Sequence, residues 1–208
     1  MVREFIKKEA MLRPTYSELE KICKTKGYVF FTKPESINII GVRVNESTNE
    51  FNDTMCVAWI DRGNNKRIEH FPCTTKAGSH WLLNPMNVRG TAFLIEGQYR
   101  GAYKIGVHRG YPALQQISSM KYYRDNNKDQ KHDVGGKVYE GNFYTNIHRS
   151  AKSGLSKFVG KWSAGCQVLT GVDGGETEWN TFLRLARMSS ARFGNSFTYT
   201  LINKKDLL

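Results

Sequence analysis

Long apolar runs are missing from this 208-residue chain, and so is any balance of charge. No stretch approaches the roughly 20 apolar residues that a helix needs to span a bilayer, so no transmembrane segment is expected. Acids are scarce: 19 Asp and Glu stand against 31 Lys and Arg, a formal net charge of +12. Such a surface attracts polyanions, among them nucleic acid and the anionic wall of a bacterium. The basic residues are scattered along the whole chain, with no basic helix or tail, so nucleic acid is not the expected partner. Cysteine is also scarce. Cys23, Cys56, Cys73 and Cys166 stand at wide, irregular spacings without a C-x-x-C pair. That excludes a zinc ribbon or a small disulfide scaffold, and free thiols are expected. The opening "MVREFIKKEA" carries charge on both sides of a very short apolar run and does not read as a secretory signal. Synthesis in the cytoplasm is therefore expected, with any action outside the cell needing another exit.

What is present is enough apolar material for one sizeable core, 39% hydrophobic and 12% aromatic. "PTYSELEKICKTKGY" predicts a short helix: Thr15 or Ser17 caps it, Leu19, Ile22 and Cys23 share a face, and Gly27 ends it. From Tyr28 the period changes to short, β-branched and aromatic segments, with "DRGNNK" as a hairpin turn. "TAFLIEGQYRGAYKIGVH" and "YEGNFYTNIHRS" read as strands, and "YRDNNKDQKHDVGGK" between them as a polar loop. "GGETEWNTFLRLARMSSARFG" predicts the clearest helix, with Trp179, Phe182, Leu183, Leu185 and Ala186 on its apolar face. The expected fold is mainly β (α+β): one domain over residues 1–208, a sandwich or barrel. A helical segment over 1–27 precedes it, and a helix and closing strand over 174–208 end it.

The candidate chemistry lies in "VGKWSAGCQVL". Small residues crowd in front of Cys166, a frame that suits a nucleophile meeting its substrate at close range. Such a thiol needs a base and donors for the oxyanion it creates. His148 ends a strand candidate 18 residues upstream. Two adjacent strands joined by "SAKSGLSKFVG" would bring it beside Cys166. Backbone N–H groups at Ala164, Gly165 and Cys166 are candidate oxyanion donors, and Ser163 can bond within the turn or to substrate. The pair is expected to titrate as a unit, with thiolate formed well below the free-cysteine value of about 8.5.

His108, among Tyr99, Tyr103 and Tyr111, suggests an aromatic rim for sugar or peptide. With Arg149 and Trp162, residues His108, Tyr103 and Tyr111 make the candidate substrate-binding set. His80 and His132 fall in polar loops and are expected to be exposed. Asp125, Asn127, Asp129 and Asp133 place oxygens at alternate loop positions, as a structural calcium ion would need, though Gln130 stands where an EF-hand has glycine. No other cofactor is called for.

The segments "IHRS" and "GKWSAGCQVL", with "CTTKAGSHWL" upstream, resemble the signature of the L,D-transpeptidase family of cysteine peptidoglycan enzymes. The likeness covers about residues 70–170 and is nearer to divergent phage and prophage versions. It implies His148 as base, Cys166 as nucleophile, and Ser163 and Gly165 as their frame. Two positions depart: Ala164 stands where the family has histidine, and Val168 where it has arginine. The resemblance implies a peptidase or transpeptidase of stem peptides in bacterial peptidoglycan. Such an enzyme would act on the wall after release from the cell, as an endolysin does, or as part of a phage particle. The alternative is an inactive wall-binding or virion module of the same fold.

Overall fold

Thr15 starts the first helix, α1 (Tyr16–Thr25), through a capping box. Its hydroxyl accepts from the Glu18 N–H at 3.2 Å, and the Glu18 carboxylate accepts from the Thr15 N–H at 2.7 Å. In this computed structural model residues 11–44, 49–154, 156–170 and 175–208 are described. The reading of the first ten residues lies outside them.

Eight strands close into a barrel: β1 (Asn38–Arg43), β2 (Asp53–Ile60), β3 (Lys66–Thr74), β5 (Gly97–His108), β6 (Tyr111–Gln116), β9 (Ile147–Arg149), β10 (Gln167–Leu169) and β11 (Phe197–Asn203). Around the barrel they run β1-β11-β5-β6-β9-β10-β3-β2. A second sheet, β4-β7-β8, is formed by β4 (Thr91–Leu94), β7 (Met120–Asp125) and β8 (Tyr139–Gly141). Two more helices, α2 (Ser79–Leu83) and α3 (Gly175–Phe193), complete the described elements apart from a final 3-10 turn. The chain is thus mainly β, with a barrel rather than a sandwich.

The alternation of strand side chains explains why β1 is buried throughout. Ile39, Met55 and Leu201 point into the barrel core, which α3 covers with Trp179, Phe182, Leu183, Leu185 and Ala186. Ile40, Cys56 and Ile202 point outward, where Leu19 and Cys23 of α1 cover them. A buried charged network ties the second sheet to the barrel. Arg43 donates to the Leu94 carbonyl at 2.8 Å and lies 4.0 Å over the Phe93 ring. Asp53 accepts from the Val44 N–H and from the Thr75 N–H and hydroxyl, each at 2.7 Å, and pairs with Lys76 at 3.3 Å.

Three local readings change. "YEGNFYTNIHRS" is two strands, not one: β8 joins the second sheet and β9 the barrel, split by a loop in which Tyr144 takes φ +61°. The polar loop begins later than its composition indicates, since Tyr123, Arg124 and Asp125 belong to β7. Neither His80 nor His132 is an exposed loop residue: His80 lies half-buried in α2, and His132 stacks on Phe93 with centroids 4.5 Å apart, where burial, chiefly, pushes its pKa down to about 3.

Candidate active site

Strands β9 and β10 are neighbours and run parallel, with His148 opposite Val168. Cys166 precedes β10, two residues before Val168, so its side chain leaves the strand on the same face as His148. Both line one cleft of about 470 Å³. The strand pairing expected from the sequence is therefore present, as a parallel pair.

The turn that carries Cys166 is held by small contacts. Ser163 is fully buried; its Oγ accepts from the Gly165 N–H at 3.1 Å and donates to the Cys166 carbonyl at 2.8 Å. Ser163 is thus a clasp within the turn, and the Gly165 N–H is already engaged. Gly165 takes φ +120°, and a Cβ there would sit 2.9 Å from the Ala92 carbonyl, so this position requires glycine. Its own carbonyl accepts from the Thr145 hydroxyl at 2.7 Å and from the Gln167 amide at 3.3 Å. The Cys166 N–H has no hydrogen-bond partner among the described residues, so it is a backbone donor open to an oxyanion beside the thiol. The sulfur faces the Tyr144 carbonyl at 3.5 Å and receives the Asn146 N–H.

His148 is 3% exposed, and its tautomer follows from its partners. The Arg149 carbonyl, which can only accept, lies 2.8 Å from Nδ1. The Tyr111 hydroxyl donates to that same carbonyl, leaving its oxygen to face Nδ1 at 3.1 Å. Nδ1 therefore carries the proton, and Nε2 keeps the lone pair that a base uses. His108 stacks on the ring, centroids 4.3 Å apart and 13° from parallel. Asn146 fixes His108 in turn. The amide oxygen of Asn146 accepts from the Gln116 N–H, so its NH2 donates to His108 Nδ1 at 3.1 Å and the His108 proton sits on Nε2.

No protein-family model, curated protein or solved structure matches the chain.

Burial dominates the electrostatics. It pushes the Cys166 thiol up to about 11, against smaller lowering by the Asn146 N–H and the Arg109 charge. It pushes His148 down to about 3, with His108 and Arg109 adding to the effect and the Arg149 carbonyl opposing it. At neutral pH the resting site is a thiol beside a neutral imidazole. The expected low-pKa ion pair is not the resting state, because burial disfavours the charged form of each group.

The substrate-binding candidates divide. His108 and Trp162 line the cleft. Tyr103 is fully buried in the barrel core. Tyr111 is the hydroxyl that orients His148, and Arg149 lies 4.4 Å over the Tyr111 ring; neither lines the cleft. Sequence reasoning missed Trp81, Arg109, Arg124, Tyr144, Asn146 and Lys161, all of which do. Of these, "HRG" before Tyr111 carried a readable signal: Arg109 and Gly110 both take positive φ, 47° and 86°, in a two-residue hairpin turn.

The calcium set does not assemble. Asn127 presents its NH2 to the Asp133 carboxylate at 3.1 Å and uses its oxygen for the Asp129 N–H. Asp129 accepts from the Lys131 N–H, and buried Asp125 accepts from the Asp133 N–H. These are local loop closures of the Asx type. Among the described residues no group of three or more His, Cys, Asp or Glu side chains could hold a metal.

Proposed function

We propose that the protein is a cysteine acyl-transfer enzyme that cleaves or exchanges peptide bonds in bacterial peptidoglycan. The observation that carries the chemistry is the locked tautomer of His148, proton on Nδ1 and base on Nε2, on the strand beside Cys166 in one cleft. The target class rests on the resemblance of "IHRS" and "SAGCQV" to L,D-transpeptidases, and an aromatic rim of Trp81, Trp162 and Tyr144 suits a sugar-peptide polymer. Among the described residues no helix is long and apolar enough to cross a membrane.

In the reaction His148 Nε2 takes the thiol proton as the sulfur attacks the amide carbonyl, since the thiol does not ionise first. A C–S bond forms, and the carbonyl electrons move to an oxyanion that the Cys166 N–H receives. The oxyanion collapses, the C–N bond breaks, and the leaving amine takes the proton from His148. Water or an acceptor amine then attacks the thioester, giving its proton to His148, which returns it to the departing sulfur. Side chains of this chain supply every proton transfer in that sequence.

A second reading, a silent wall-binding or virion module, is favoured by the raised thiol pKa and by the apolar Val168, fully buried opposite His148. Release of soluble fragments from purified bacterial wall separates the two. Activity lost in Cys166→Ala, with the fold intact, supports the enzyme. A wild-type protein that binds wall and releases nothing supports the module.

A further inference from the structure

Among the described residues, no acidic side chain lines the cleft around Cys166, and three cations do: Arg109, Arg124 and Lys161. None of the three forms an ion pair among the described residues, whereas other basic side chains do, including Arg62, Arg67, Lys76 and Arg192. Arg124 is oriented by its donation to the Gly90 carbonyl at 2.8 Å and by the Tyr122 ring 4.9 Å away, while its Nε has no partner. Three like charges gathered without a counterion repel one another, and an anionic ligand removes that cost.

Arg109 follows His108, the ring stacked on His148, in the β5–β6 turn. Its charge lowers the pKa of Cys166, His148 and His108 alike, in each case behind burial. It is also held in a costly place. It occupies the first central position of the β5–β6 turn, where φ is +47° and Asn or Gly is favoured. A long side chain in the left-handed region is strained, and here that turn places Arg109 in the lining of the cleft.

We propose that the cleft selects an anionic substrate, with Arg109 receiving a carboxylate adjacent to the reacting carbonyl and Arg124 and Lys161 supplying a positive lining beyond it. This rests on Cys166 being the nucleophile of the reading above. It adds the charge of the substrate and the residue that reads it. Arg109 is a substrate-binding residue here, and its planar fork matches a carboxylate in two hydrogen bonds.

Two alkylating reagents of the same size test this without any wall substrate. Iodoacetate carries a carboxylate next to its reacting carbon, and iodoacetamide carries a neutral amide there. Their rates at Cys166, measured by mass spectrometry on the full chain, are expressed as a ratio, which cancels the thiolate fraction common to both. Free cysteine in the same buffer sets the reference. The ratio at wild-type Cys166 is expected to exceed that reference by about tenfold, the effect of one nearby unscreened charge. It should fall to within about threefold of the reference in Arg109→Gln, remain raised in Arg109→Lys, and fall with added salt. Arg62→Gln, which removes a charge outside the cleft, should leave it unchanged. A wild-type ratio equal to free cysteine overturns the inference and leaves the nucleophile reading intact. A raised ratio that Arg109→Gln does not lower overturns the role of Arg109. A Cys166 that reacts with neither reagent until the chain is unfolded overturns the nucleophile reading, and the inference with it.

Discussion

The rings of His108 and His148 lie face to face, 4.3 Å apart and 13° from parallel. Each ring also has its Nδ1 committed, His108 to the Asn146 amide and His148 to the Arg149 carbonyl. The stack therefore leaves Nε2 of His148 free to act as base and keeps its ring from rotating out of line. His108→Ala should lower the rate of wall cleavage by about 10–100-fold, less than the roughly 10²–10⁴-fold expected for His148→Ala. His108→Phe keeps a flat ring over His148 and should recover most of the lost rate. Equal rates for His108→Ala and wild type would remove the stack from the account.

The neutral resting state has a consequence for alkylation. The rate at Cys166 should climb through the alkaline range toward a pKa of about 11 and show no inflection between pH 6 and 8. His148→Ala should not move that inflection upward, because no imidazolium supports the thiolate at rest. An inflection near neutrality that His148→Ala shifts upward would restore the preformed ion pair.

Stability should fall in acid for a related reason. His148 and His132 are both lowered to about 3 in the folded chain, chiefly by burial, against about 6.5 when unfolded. The unfolded chain therefore binds more protons below pH 6.5. The stability these groups contribute is fully present above that pH and is lost progressively as pH falls toward 3. Melting temperature against pH should show this fall, and His132→Phe should make the slope shallower. A melting temperature flat from pH 7 to 4.5 would contradict it.

A thread through the barrel interior supports the nucleophile turn. The Tyr199 hydroxyl donates to Gln167 Oε1 at 2.9 Å, and the Gln167 amide donates to the Gly165 carbonyl. Gly41 makes room for that hydroxyl: a Cβ there would lie 2.1 Å from it. Gly41→Ala should cost about 1–3 kcal/mol by overpacking, and Tyr199→Phe about 1–3 kcal/mol by leaving a buried acceptor unmet. Chemical denaturation measures both. Both should also slow Cys166 chemistry, which distinguishes this thread from ordinary core packing.

The 125–133 loop closes on its own hydrogen bonds, so calcium should not raise the melting temperature relative to a chelator. A calcium-dependent rise that Asp129→Ala abolishes would show that the loop rearranges to bind the ion.

Much of this was legible in the chain. Thr15 and the shared face of Leu19 and Cys23 announce α1, and the strand-end position of His148, one loop before Cys166, announces the pairing of their strands. What was not legible depends on register and distance in sequence. Tyr103 and Tyr111 look alike in a tyrosine-rich segment, yet the first faces the barrel core and the second reaches around to His148. Only the β5–β6 register, with His108 opposite Tyr111, decides this. Arg124 reaches the cleft from a separate sheet, so no local pattern around Cys166 could point to it.

The most direct test of the central claim is to trap the acyl-enzyme. Wild-type protein mixed with purified peptidoglycan stem peptides, quenched in acid and analysed by intact mass and peptide mapping, should carry an adduct on Cys166. Its mass should equal the acyl donor less its leaving amine. The adduct should be absent from Cys166→Ala and form far more slowly in His148→Ala. Fragment release by Cys166→Ala at the wild-type rate, with no adduct on the wild-type thiol, would contradict the account.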